Sequence, residues 1–263
     1  MLKNIVNKLS VAVLAACFFV PIVVDAAPVL WSGDSSGRLG TVDVDTGDVN
    51  VIGSMGVIMT DIAFDPSGNL WGITFGSLFK INKTTAASTI VGNIGTSANS
   101  LVFDSSGVLY TANSSLYTVD TTTGAANLVG NGGYSYSSSG DLAFVGGDLF
   151  LSSSGGDNLV KINTGDGSGS LIGNIGFSSV FGLASPNGTD LFGLAGTNVL
   201  LIDSTIGSGT PILDYSGQGL GPAFGSAFVS EAVVPIPAAV WLFGSGLLAL
   251  LSIRKPLQKV KKA

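Results

Sequence analysis

Asp61 and Asp141 are the side chains of this chain whose type and position most suggest chemistry. Each opens a short apolar run, Asp61-Ile62-Ala63-Phe64 and Asp141-Leu142-Ala143-Phe144. With Asn99 they would offer hard oxygen ligands to Ca2+. Asp and Asn at the entry of a strand also hydrogen-bond nearby backbone, and that plainer reading is preferred. Little else can react. The chain has no His, which removes the commonest general base and the commonest metal ligand. Cys17 is the only cysteine and Glu231 the only glutamate. Tyr134 and Tyr136 stand in the longest irregular insertion of the middle region, so they are the candidates for contact with a ligand or partner. The expectation is a protein that is not an enzyme, with no catalytic residue, no cofactor and no metal beyond the Ca2+ candidate.

The elements that position these residues repeat. Leu-aromatic pairs recur at Leu30-Trp31, Leu70-Trp71, Leu109-Tyr110, Leu149-Phe150 and Leu191-Phe192, in steps of 40, 39, 40 and 42 residues. A second segment follows each pair (GRLGTVDVDTG, GSLFKINKTTA, SSLYTVDTTTG, DNLVKINTGDG, TNVLLIDSTIG). A third follows that (VNVIGSMG, STIVGNIG, ANLVGNGG, GSLIGNIG, TPILDYSG), then a fourth (DIAFDPSGN, SLVFDSSGV, DLAFVGGD, GLASPNGTD, SAFVSEA). All are short, rich in β-branched and aromatic residues, and bounded by Gly, Asn, Asp or Ser, the pattern of strands joined by tight turns. Four short strands per repeat predict an all-β, five-bladed β-propeller of four-stranded blades. Each fourth segment starts a blade. Residues 29–54 then supply three strands of the closing blade and residues 224–230 the other, which leaves no bare edge between the termini.

Aligned in this way, the entries to the innermost strands read Asp61, Ser100, Asp141, Gly182 and Ser226, facing one mouth of the central channel. The aromatics Trp31, Trp71, Tyr110, Phe150 and Phe192 fall in register and predict a packing layer between blades rather than a sugar-stacking surface. The turn between the second and third segments carries an Asx residue in every copy, as in Asp43, Asn82, Asp120 and Asn163. The extra carboxylates of Asp43-Val44-Asp45-Thr46-Gly47-Asp48 suggest a calcium loop, but the spacing and terminal Glu of an EF-hand are missing, and an Asx-turn explains all five copies.

The pattern apolar-apolar-Phe-Asp-x-Ser-Gly-x-Leu-aromatic is clearest at residues 62–71 and 101–110. It resembles NHL-type propeller repeats, over residues 29–230. That resemblance implies a fold and no particular activity. The enzymatic alternative is a metal-dependent propeller hydrolase or lactonase working through Asp61 and Asp141. Such enzymes use Glu, Asp and Asn around the channel, and no blade here carries a Glu.

The two ends read differently. Residues 1–26 look like a signal peptide, with Lys3 and Lys8 before an apolar core and Val24-Asp25-Ala26 as the site where signal peptidase cuts after Ala26. Leu14-Ala15-Ala16-Cys17 is a rival lipidation site, though apolar residues follow it where a polar tether is usual. Residues 27–232 form the propeller ectodomain, with Arg38, Lys80, Lys83 and Lys161 against sixteen acidic residues. Such a surface repels nucleic acid.

Residues 233–263 form a tail. Residues 233–253 carry no charge and, as a helix, would span a bilayer. Arg254 and Lys255 open a basic end, residues 254–263, which belongs in the cytoplasm. The prolines of Val234-Pro235-Ile236-Pro237-Ala238-Ala239 hold the chain extended just before the helix. Motif, helix and basic end together closely resemble the VPLPA-type PEP-CTERM sorting signal, with Ile236 in place of the usual Leu. The resemblance implies a Gram-negative bacterium and processing by an exosortase after transient residence in the inner membrane. It also implies delivery to the cell surface or an extracellular polysaccharide matrix or biofilm, with polysaccharide or surface proteins as partners. The alternative is a propeller simply anchored in the membrane and facing the periplasm.

Overall fold

The computed structural model describes residues 28–229. The signal peptide expected at residues 1–26 and the sorting tail expected at residues 233–263 lie outside the described residues, as do Ala26, the motif at Val234–Ala239, Arg254 and Lys255. Among the described residues there are twenty strands, and no helix long and apolar enough to cross a membrane.

The strands form five four-stranded antiparallel sheets. Blade 1 holds β1 (Val29–Asp34), β2 (Arg38–Asp43) and β3 (Val49–Ser54), with β20 (Ala223–Phe228) on the inner side of β1. Blade 2 runs β4 (Asp61–Phe64), β5 (Leu70–Ile73), β6 (Ser77–Ile81) and β7 (Ser88–Asn93). Blade 3 runs β8 (Val102–Phe103), β9 (Leu109–Ala112), β10 (Leu116–Val119) and β11 (Ala126–Gly130). Blade 4 runs β12 (Ser138–Val145), β13 (Asp148–Ser153), β14 (Asn158–Ile162) and β15 (Gly169–Asn174). Blade 5 runs β16 (Val180–Ala184), β17 (Leu191–Ala195), β18 (Asn198–Ile202) and β19 (Gly209–Asp214). The first strands β4, β8, β12, β16 and β20 pack against one another and so surround the axis. The chain is a five-bladed propeller whose closing blade is built from both ends, as the repeat predicts.

The core lies in the five seams between blades. At the inner level the repeated aromatics meet a Phe of the next blade. Trp31 stands edge-on to Phe64 with centroids 5.4 Å apart, and Phe192 to Phe228 at the same spacing. Trp71 meets Phe103, and Tyr110 meets Phe144, at 5.9 Å. Four of the five repeated aromatics are buried and Trp31 is half-buried, so they are a packing layer. The seam between blades 4 and 5 differs, because the place after Ala184 holds Ser185 and Phe150 has no aromatic partner there.

At the outer level two glycines meet in most seams. Each outermost strand carries a β-bulge. In β7, β11 and β15 the residue after the bulge is Gly92, Gly130 or Gly173, lying flat against a turn glycine of the next blade, Gly124, Gly167 or Gly207. Those turns are the Asx-turns. The N–H two residues on donates to the side chain of Asp43, Asn82, Asp120, Asn163 and Asp203 in turn, at 2.7–2.9 Å.

Ring closure rests on β20 pairing with β1, Leu30 opposite Phe228 and Trp31 opposite Ala227. Asp34 reinforces it. Its carboxylate accepts the N–H groups of Ser36, Arg38 and Gly221, each at 2.8 Å, and binds the Arg38 guanidinium at 2.9 Å. Burial works to raise its pKa, but these donors and the Arg38 charge outweigh it and hold the carboxyl below its usual value.

The pairing also corrects one alignment. Trp31 opposes Ala227 as Trp71 opposes Ala63, so the residue level with Asp61 is Gly225 and not Ser226. The ladder is regular from Leu30 opposite Phe228 to Gly33 opposite Gly225, and Phe224-Gly225-Ser226-Ala227-Phe228 matches Phe181-Gly182-Leu183-Ala184-Ser185.

Candidate functional site at the propeller axis

An innermost strand has no ladder partner on its axial side, so the N–H groups pointing there need another acceptor. At one level these groups belong to Ile62, Leu101, Leu142, Leu183 and Ser226, one from each blade. Two carboxyl groups accept all five. Asp61 takes the N–H of Ile62 on Oδ1 at 2.7 Å and that of Leu101 on Oδ2. Asp141 takes the N–H of Leu142 on Oδ1 and that of Leu183 on Oδ2, both at 2.6 Å. Its Oδ2 also accepts from the N–H and the hydroxyl of Ser226, each at 3.3 Å. Asp61 thereby ties blade 2 to blade 3, and Asp141 ties blade 4 to blades 5 and 1.

The structure thus brings the two sequence candidates together, but inside the ring. Both have 0% exposure, which corrects the expectation that this row faces a channel mouth. Space explains the glycines at two of the other three places. A Cβ on Gly225 would collide with Asp61, and one on Gly182 would meet Ser226 Oγ at 2.7 Å. Burial raises the pKa of both carboxyls well above the usual carboxylate range. The nearby Asp141 charge raises Asp61 further, while the N–H donors pull against the rise at both residues. The oxygen lone pairs that a cation would use are turned to N–H donors. Asn99, the third oxygen candidate, donates its amide to the Ser138 carbonyl at 3.2 Å, joining blades 3 and 4. Among the described residues no three of His, Cys, Asp or Glu are grouped to hold a metal.

Above this level the axis opens into a depression of about 670 Å³. Its floor is Ile62, Leu101, Leu142 and Leu183, and Phe64, Phe103, Phe144 and Phe228 stand around it. Where the fifth Phe would be, Ser185 leaves a notch, and the depression runs out along the blade 4–5 seam past Gly188 to Thr164. The rim is uncharged apart from Asp104, whose Oδ1 accepts the N–H groups of Ser106 and Val108 in the hairpin turn. The depression was legible in the sequence only as the Phe that closes four of the five fourth segments, with GLAS as the exception.

Tyr134 and Tyr136 are placed otherwise than expected. Tyr136 is 5% exposed, and its hydroxyl donates to the Gly167 carbonyl at 2.9 Å. Burial pushes its pKa up to about 12. Tyr134 is half-buried, and its hydroxyl accepts from the Asn158 amide at 3.0 Å. The insertion lies along β15, bridged by Gly133 and Gly169, so its tyrosines fill the blade 3–4 seam and are not an exposed pair.

No protein-family model and no curated protein matches this chain. Solved structures do. A protein of unknown function from Bacteroides thetaiotaomicron is similar over 75% of this chain, at 13% identity and a TM-score of 0.54. This chain spans 58% of that protein's length. A chain in the nidogen/laminin complex is similar over 78% of this chain and 81% of its own, at 14% identity and a TM-score of 0.50. The likeness is one of fold. A protein of unknown function from Bacteroides caccae aligns over 71% of this chain and 73% of its own, with 11% identity and a TM-score of 0.45.

Proposed function

We propose that this chain is an exported, non-enzymatic propeller that binds a partner in its axial depression, and that its tail is a sorting signal read by an exosortase. One observation carries the binding half. The depression has a mixed lining, with four Phe residues around it and small hydroxyl side chains at its rim, while Asp61 and Asp141 lie buried beneath its floor. Phe rings and Ser or Thr hydroxyls suit a neutral sugar, which offers an apolar face and a hydroxylated edge. An extracellular polysaccharide is the reading this favours. The hydrolase alternative needs Asp61 and Asp141 within reach of substrate, and their burial counts against it.

Ser185→Phe tests this reading, because it fills the notch with the residue type of the other blades. Binding to an array of neutral polysaccharide fragments is expected to weaken at least tenfold, with unfolding unchanged. Equal binding by the variant, or metal-dependent lactone hydrolysis that disappears in Asp61→Ser, overturns it. The sorting half rests on Val234-Pro235-Ile236-Pro237-Ala238-Ala239 and the residues after it. Intact-mass measurement on protein from wild-type and exosortase-deficient cells is expected to give a shorter chain in the wild type. A chain ending at Ala263 in both would make the tail an anchor.

A further inference from the structure

The axial carboxyls pose a problem of charge. Asp61 and Asp141 are sealed from water, and at one level of the axis they accept between them an N–H group from every blade. The cations of the described residues are engaged elsewhere. Arg38 and Lys161 pair with Asp34 and Asp148, and Lys80 and Lys83 stand over Trp71 and Phe64. The strands packed around the pair bring Ser100, Gly182 and Gly225 to this level, with Ser226 next to Gly225, none of them charged. Five N–H groups and one hydroxyl favour a single negative charge here. Two charges side by side in a water-free interior would repel strongly.

We propose that Asp61 and Asp141 hold one proton between them, carried on Asp61, and that this proton is a clasp that locks the five blades at the axis. The place of the proton follows from the donors. Asp141 accepts four hydrogen bonds from outside the pair and Asp61 accepts two, so the negative charge belongs on Asp141. The Asp61 O–H then donates to Asp141, and the five N–H groups and the Ser226 hydroxyl keep their acceptors. With the proton gone, blade 2 loses its direct link to blade 4 and both blades carry a buried charge.

The direction of the pH effect follows by linkage. An unfolded Asp titrates near pH 3.9, and the folded pair keeps a proton well above that value. The folded state therefore binds the extra proton, and stability falls as pH rises from about 4 through the pair's folded pKa. This is opposite in sign to the contribution of Asp34, which is lost in acid.

Two measurements test the clasp on the purified protein. Infrared spectroscopy of the wild type at neutral pH is expected to show one protonated carboxyl that disappears on alkaline titration. Its absence overturns the proposal. Thermal unfolding is then followed from about pH 5 to about pH 9, below the range of ordinary tyrosine ionisation. The wild-type midpoint is expected to fall across this window by more than that of Asp61→Asn, which cannot ionise. Equal slopes overturn the proposal. If Asp61→Asn does not fold, Asp61→Ser, which copies Ser100 of the neighbouring blade, takes its place.

Discussion

Replacing Asp141 with alanine is expected to cost about 3–6 kcal/mol, a large share of the roughly 5–15 kcal/mol that holds a domain together. Asp141 is the acceptor for the N–H groups of Leu142, Leu183 and Ser226, which come from blades 4, 5 and 1. Asp141 is fully buried, so bulk water does not reach those groups in the folded protein. A buried N–H left without a partner costs about 1–3 kcal/mol. Water entering the space left by the side chain would offset part of the sum. Asp61→Ala orphans only the N–H groups of Ile62 and Leu101, so it is expected to cost about two-thirds as much. This inequality separates a structural pair from a catalytic one, in which each partner is needed for the same step and stability is incidental.

Gly173→Ala is expected to destabilise by about 2–4 kcal/mol for a different reason. Its added Cβ would be driven into the carbonyl of Ile206 in the next blade, and neither side of that contact is a flexible side chain. The outer strand and the Asx-turn would have to separate, opening the seam that also holds the Gly209 N–H to the Ile175 carbonyl at 2.9 Å. Gly92→Ala meets Thr123 in the same way. The control is Gly76→Ala, whose Cβ would meet nothing within 4 Å and which is expected to stay within about 0.5 kcal/mol of the wild type. Urea unfolding of the three variants checks the ranking. The fifth seam shows the same constraint reversed. There Leu213 takes the strand position, and the glycine is Gly47 on the turn, whose Cβ would lie 2.7 Å from Leu213 Cδ1.

The repeat made the architecture legible because each blade solves the same local problem with the same residues. Leu-aromatic pairs at a fixed step gave the second strand, Asp or Asn gave the turn before the outermost strand, and the odd fourth segment, read at residues 224–230, gave the closure that the structure places at Ala223–Phe228. What could not be read was set across the ring. Nothing local to Asp61 or Asp141 says that blades 2 and 4 meet at an axis, or that their carboxyls share five N–H donors supplied by all the blades. The misplaced Ser226 has the same origin. The fourth-segment alignment sets Ser226 against Asp61, but only the pairing of Trp31 with Ala227 across the ring closure shows that Gly225 stands there and makes room for Asp61. Tyr134 and Tyr136 looked like an exposed loop because they break the repeat, whereas the extra residues fold back to fill a seam. Asp34 went unnoticed because it looks like any turn aspartate, and its partner Gly221 lies 187 residues away in sequence.

The role assigned to the axis is tested most directly by urea unfolding of the wild type and of Asp141→Ala, each run once with calcium and once with a chelator. A lower midpoint is expected for Asp141→Ala, with calcium making no difference to either protein. A wild-type midpoint that rises with calcium and drops to that of Asp141→Ala in chelator would mean that the pair holds a metal, and would contradict the account.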